Sequence, residues 1–165
     1  MIAPAIRVSR SARTTESEIT VPNLKNFYEE FFSASVNQDL PRLSTLVDPS
    51  FIIHYDDSLP FGGTFQGVDG FFSVLGLLGA TLKDISTETL NYMEDINGEQ
   101  YSLTIRLTAN IRRTGKPLDT IVSELWTVEN GRAVEARIWY WGAANLFREY
   151  QRPLGIIDDY RSSAT

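Results

Sequence analysis

Between residues 100 and 141 the chain alternates apolar and polar side chains almost without interruption. In QYSLTIRLTANIRR, Leu103, Ile105, Leu107, Ala109 and Ile111 fall on one side of an extended strand, and Thr104, Arg106, Thr108 and Asn110 on the other. LDTIVSELWTV and RAVEARIWYW follow. TGKP turns the chain between the first and second runs, and Asn130-Gly131 between the second and third. A further Asn97-Gly98 separates DISTETLNYMEDI from the first run. Asn-Gly is a strong hairpin signal because both residues tolerate positive φ. At least four consecutive antiparallel strands are predicted.

The first half has a different period. In NLKNFYEEFFSASVNQD, Leu24, Phe27, Phe31 and Ala34 recur at spacings of three and four, which predicts an amphipathic helix with Asn23 as its N-cap. LPRLSTLV reads as a second, short helix with Pro41 in its first turn, broken by Asp48-Pro49. SFIIHYD is strand-prone, and VDGFFSVLGLLGATL (68–82) reads as a third helix. Its glycines at 70, 76 and 79 each weaken it by about 1 kcal/mol relative to alanine, so close packing is expected there. SLPFGGTFQG (58–67) is expected to be the crossover between strand and helix, with Phe61 and Phe65 at a pocket rim.

The order helix, helix, strand, helix, then four strands is an α+β layout. One strongly curved antiparallel sheet, too short to close, is expected to carry three helices on its concave side, with a pocket between. Residues 1–22 lack sustained periodicity and are expected to be a flexible arm rather than a transit peptide. Residues 23–150 form the domain, and 151–165 a tail that follows a short helix.

Several function classes are excluded or disfavoured. No cysteine and one histidine among 165 residues remove disulfides, thiolate sites and multi-histidine metal centres. A net charge of −6 argues against a nucleic-acid surface and against an anionic membrane. GGTFQG lacks the Gly-Lys-Ser/Thr of a phosphate loop and the βαβ context of a dinucleotide fingerprint, and there is no Gly-x-Ser-x-Gly elbow. No metal centre is expected, and the cytoplasm is the expected compartment.

The succession of NQD, DPSF, LPFGGTFQG, RRTGKPLD, LWTVENGRAVEARIWYW and GAANL over residues 23 to 147 resembles the NTF2-like superfamily, in its SnoaL-like branch. That branch is akin to ketosteroid isomerases and limonene-epoxide hydrolases. The resemblance implies a conical α+β barrel, a deep apolar pocket for an apolar or ring-containing small molecule, and a homodimer formed through the sheet. It also implies proton transfer tuned by desolvation, without a cofactor.

Carried over residue by residue, the isomerase base falls on His54, with Asp56 two positions on. The helix tyrosine of the isomerases falls near Phe31, with Tyr28 one turn earlier. Their protonated acid falls near Ser123 or Glu124. If the Val122–Trp126 face is internal, Glu124 is a buried acid with a raised pKa; if external, it is solvated or at an interface. His54, Asp56 and Glu124 are therefore the expected acid/base set, with Tyr28, Phe31, Phe61, Arg106, Trp139 and Trp141 as substrate contacts. The epoxide-hydrolase aspartates are replaced by Thr108 and Trp139, which argues against that reaction. Gly142 stands where related chains carry an acid. The function implied is a cofactor-free isomerase, cyclase or dehydratase; a non-catalytic binding or dimerisation module is the alternative.

Overall fold

The computed structural model describes residues 23–147; the expected arm and tail lie outside them. Helix α1 (Leu24–Val36) begins where Asn23 accepts the backbone N–H of Asn26 at 3.1 Å, and buries Leu24, Phe27, Phe31 and Ala34. Helix α2 (Leu40–Leu46) is capped by Asp39, which accepts the N–H of Arg42 at 3.0 Å. Both caps satisfy amide donors that a helix start leaves without internal partners.

Strand β1 (Val47–Tyr55) starts earlier than expected and runs through Pro49. The ladder to its neighbour is interrupted between Val47 and Ile52, so the missing proline N–H removes no ladder bond. The crossover also holds more structure than expected. Its second half is strand β2 (Gly63–Gln66), which pairs antiparallel with β1, placing Thr64 opposite His54. Gly62 is required at the bend, since a Cβ there would stand 2.2 Å from the carbonyl oxygen of Asp56.

Helix α3 (Gly67–Thr81) follows, then β3 (Leu82–Glu94), β4 (Gln100–Ile111), β5 (Pro117–Glu129) and β6 (Arg132–Tyr140). A single helical turn, α4 (Ala143–Leu146), ends the described chain. The close packing expected of the α3 glycines holds at Gly70, where a Cβ would meet Phe65 at 2.9 Å. At Gly76 and Gly79 it would meet nothing within 4 Å. Those two open onto a cavity instead.

The six strands form one curved, unclosed sheet in the order β2-β1-β6-β5-β4-β3. Four neighbouring pairs are antiparallel and β1–β6 is parallel, so the sheet is mixed. The parallel pair joins elements far apart in sequence, which no hairpin could have announced. Alternation decides the two faces. Tyr101, Leu103, Ile105, Leu107, Ala109 and Ile111 are buried against the helices, as are Leu118, Val122, Trp126, Ile138 and Tyr140. Among the described residues no helix is long and apolar enough to cross a membrane.

Candidate functional site

A cavity of about 710 Å³ lies between the inner face of the sheet, α1 and α3. Aromatic and aliphatic side chains make most of its wall, and among the described residues Glu124 is the one lining residue that can carry a formal charge at neutral pH. Glu124 is in phase with Val122 and Trp126 on β5, so the internal alternative for this face is the one found. The indole Nε1–H of Trp126 donates to Glu124 Oε2 at 2.8 Å. Burial pushes the Glu124 carboxyl above its ordinary range, and the indole bond partly opposes that rise. The residue as a whole is half-buried and lines the cavity.

Three tyrosines of the wall lie within electrostatic reach of Glu124. Tyr55, Tyr101 and Tyr140 all have phenols pushed upward, by burial first; Glu124 contributes in each case, after Tyr140 at Tyr55. They therefore remain protonated and able to donate. Tyr101 lies opposite Trp126 across the β4–β5 ladder, and Leu103 opposite Glu124, which makes Tyr101 and Glu124 diagonal neighbours on one face. The Tyr101 hydroxyl is buried and has no hydrogen-bond partner among the described residues.

The structure divides the expected site residues between two faces. Tyr28, Phe31 and Glu124 line the cavity. Phe31 packs edge-on to Trp126 at 4.9 Å, and the Tyr28 hydroxyl pairs with Thr89 Oγ1 at 2.9 Å. Phe61 is fully buried behind the wall instead of at the rim, against Tyr55, Tyr140 and Phe147.

His54 is not brought to Glu124. Its neighbours Ile53 and Tyr55 line the cavity, so alternation sends the imidazole to the opposite face. There its Nδ1 is 3.0 Å from Thr64 Oγ1 and its Nε2 is 3.7 Å from Glu135 Oε1. Asp56 accepts the Ser58 N–H at 2.8 Å and bonds the Ser58 side chain, which hold its carboxyl below the usual range. It caps a turn. With Trp139 these two border a small depression of about 130 Å³ separate from the main cavity. Arg106 forks onto Asp119 on the outer face at 2.9 and 2.5 Å. Trp141 is exposed and donates to Ser123 Oγ at 2.9 Å.

Sequence reasoning overlooked Tyr55, Tyr101, Tyr140 and Trp126 as site residues. The usable signal was phase: Tyr101 continues the apolar side of β4, and Tyr140 is in step with Ile138.

The sequence of this domain matches the SnoaL-like domain profile over residues 28–136. The chain belongs to the SnoaL-like family. Solved structures agree with this SnoaL-like assignment. An NTF2-like protein of unknown function from Burkholderia pseudomallei superposes with a TM-score of 0.66 at 20% identity, covering 75% of this chain and 94% of that one. A SnoaL-like protein from Jannaschia sp. CCS1, assigned as a polyketide cyclase, gives 0.65 at 14% identity over 78% and 92%. TerC, co-crystallised with polyporic acid, gives 0.64 at 14% identity over 75% and 97%. At such identities the likeness concerns the fold. No curated protein sequence matches this SnoaL-like chain.

Proposed function

We propose that this SnoaL-like domain is a cofactor-free acid/base enzyme of isomerase, cyclase or dehydratase type, acting on a ring-containing small molecule. The observation that carries the reading is Glu124: a lone carboxyl on an apolar wall, with one oxygen anchored by Trp126 and the other left for a ligand. A desolvated carboxyl with a raised pKa holds its proton to higher pH than a solvated one, which suits it to give and take a proton. In this scheme Glu124 takes a proton from carbon beside a carbonyl and returns it at another position, while the surrounding phenols keep charge-dispersing donors at hand. The Jannaschia and TerC proteins support the substrate class by analogy of fold alone.

A second reading, a non-catalytic binding module, is favoured by one observation: among the described residues the cavity holds a single acid, with His54 on the far face. Dimerisation through the sheet belongs to either reading. It is supported by exposed Trp139 and Trp141 on a face whose charges Arg106–Asp119 and Arg137–Glu135 cancel in pairs.

Native mass spectrometry of the purified protein would identify a co-purified compound. Incubation of that compound in D2O is then expected to yield product or deuterium exchange, slowed about 100-fold or more in Glu124→Gln. Binding with neither product nor exchange overturns the enzyme reading and leaves the binding module.

A further inference from the structure

Exposed apolar side chains gather where the cavity opens. Phe32, Val36, Leu40 and Ile85 all line it, yet each stands between 42% and 65% exposed. The other exposed positions of α1 are Lys25, Asn26, Glu29, Glu30 and Ser33, so apolar exposure on that helix is confined to its cavity side. Apolar surface left in water is unfavourable, and a patch continuous with a cavity is relieved when a ligand covers it.

Two backbone departures put these groups there. Of the three described non-glycine residues with positive φ, Asn130 belongs to a hairpin turn, Gln38 lines the cavity and Asp84 precedes Ile85; the last two are at φ 53°. Gln38 takes the left-handed position after a helix that glycine usually fills. Its N–H donates to the Ser35 carbonyl at 3.2 Å and the Asp39 N–H to the Ala34 carbonyl at 2.9 Å, which locks the turn between Val36 and Leu40. Asp84 sits in a β-bulge, since Lys83 pairs with Asn110 and Ser86 with Thr108, and Asn110 Nδ2 anchors its carboxylate at 3.0 Å. The extra residue resets the alternation. Leu82 is buried opposite Ile111 and Ile85, three positions on, also faces inward to the cavity, where a regular strand would send the two to opposite faces. Left-handed backbone is unfavourable for residues with a side chain, and both instances here set apolar groups at one opening.

We propose that this mouth is a second contact zone of the ligand site, and that the ligand is a ring bearing an apolar chain. The ring occupies the cavity that Glu124 lines, and the chain leaves across Phe32, Val36, Leu40 and Ile85. The proposal rests on the reading of the cavity as a ligand site. These four side chains carry no charge and no hydrogen-bonding group, so the part of the ligand they meet is hydrocarbon. A volume of about 710 Å³ also suits a ligand larger than a single ring.

The test uses acetophenone, hexanophenone and octanophenone, which share a ring and a carbonyl and differ only in chain length. Replacing the two outer-face indoles, W139F/W141F, leaves Trp126 as the sole tryptophan and as the fluorescent reporter of the cavity. In that background affinity is expected to rise with chain length, octanophenone binding about 100-fold more tightly than acetophenone. Adding V36S, L40S and I85T is expected to weaken octanophenone about tenfold and to leave acetophenone within about twofold. Val36→Ser alone, at the most exposed of the three, is expected to act in the same direction and keeps the test decisive if the combined variant does not fold. Equal affinities along the series, or a chain-length gain that survives the mouth substitutions, overturns the chain assignment and leaves the ring reading standing. An oligomeric state that changes with those substitutions, seen by light scattering, gives the mouth to a second copy of this chain and overturns the assignment too. If no ketone perturbs Trp126 fluorescence, the cavity is not a ring-binding site, and the functional reading falls along with the proposal.

Discussion

Trp126 donates its indole N–H to Glu124 Oε2 at 2.8 Å from two positions along the same strand. Residues i and i+2 share a face, so β5 carries both the acid and the group that orients it. Trp126→Phe keeps the aromatic contacts with Phe31, Phe51 and Tyr101 and removes the donor. The bond favours the ionised carboxylate, so its loss is expected to raise the Glu124 pKa further. Stability is expected to fall by about 2 kcal/mol, measured by urea denaturation, with the Glu124 titration followed by carboxyl NMR.

Glu124 also predicts a pH dependence of stability. Its pKa is higher folded than the 4.5 of an ordinary glutamate, so the folded state binds more protons in the interval between the two values. Stability is then lost as pH rises through that interval. Glu124→Gln cannot titrate, so its Tm relative to wild type is expected to climb as pH rises above the 4.5 of an ordinary glutamate. A difference independent of pH would contradict the desolvated acid.

Gly62 and Gly79 make opposite predictions. Gly62→Ala places a Cβ 2.2 Å from a backbone oxygen and is expected to cost more than about 2 kcal/mol. Gly79→Ala meets no atom within 4 Å and lies in α3, so it is expected to gain about 1 kcal/mol. That methyl meets only open space. Urea denaturation curves check both.

His54→Ala is expected to leave ligand affinity and any turnover within about twofold of wild type, because the imidazole is on the outer face. A tenfold loss of turnover would return His54 to the catalytic set. Trp139→Glu introduces an unpaired charge on that same outer face. If the protein pairs through this face as proposed, the variant is expected to be monomeric with an unchanged circular dichroism spectrum, as judged by light scattering across a concentration series.

Element identity was legible in the amino-acid pattern alone. The Leu24–Phe27–Phe31–Ala34 spacing, the Asn23 cap and the two Asn-Gly turns reappear in place, with Asn130 and Gly131 at φ 50° and 73°. The extra strand β2 was missed because its four residues sit among glycines and are too short for a period to register. The acid Glu124 was legible as a candidate, and its three tyrosines were not. Residues in phase with Leu103 or Ile138 read as core, and a cavity wall has the same pattern as a core.

By itself the sequence determined which residues travel together: a period of two sorts each strand into two sets, and a period of three to four does so for each helix. Which set faces the helices was decided by tertiary structure alone. His54 and Asp56 share one alternation with the apolar Ile52, and Ile53 and Tyr55 the other, so local polarity leans towards the inner set without fixing it. Burial does, because apolar helix faces cover only one side of a curved sheet. That side received Glu124 and the tyrosines, and left His54, Arg106 and two tryptophans outside.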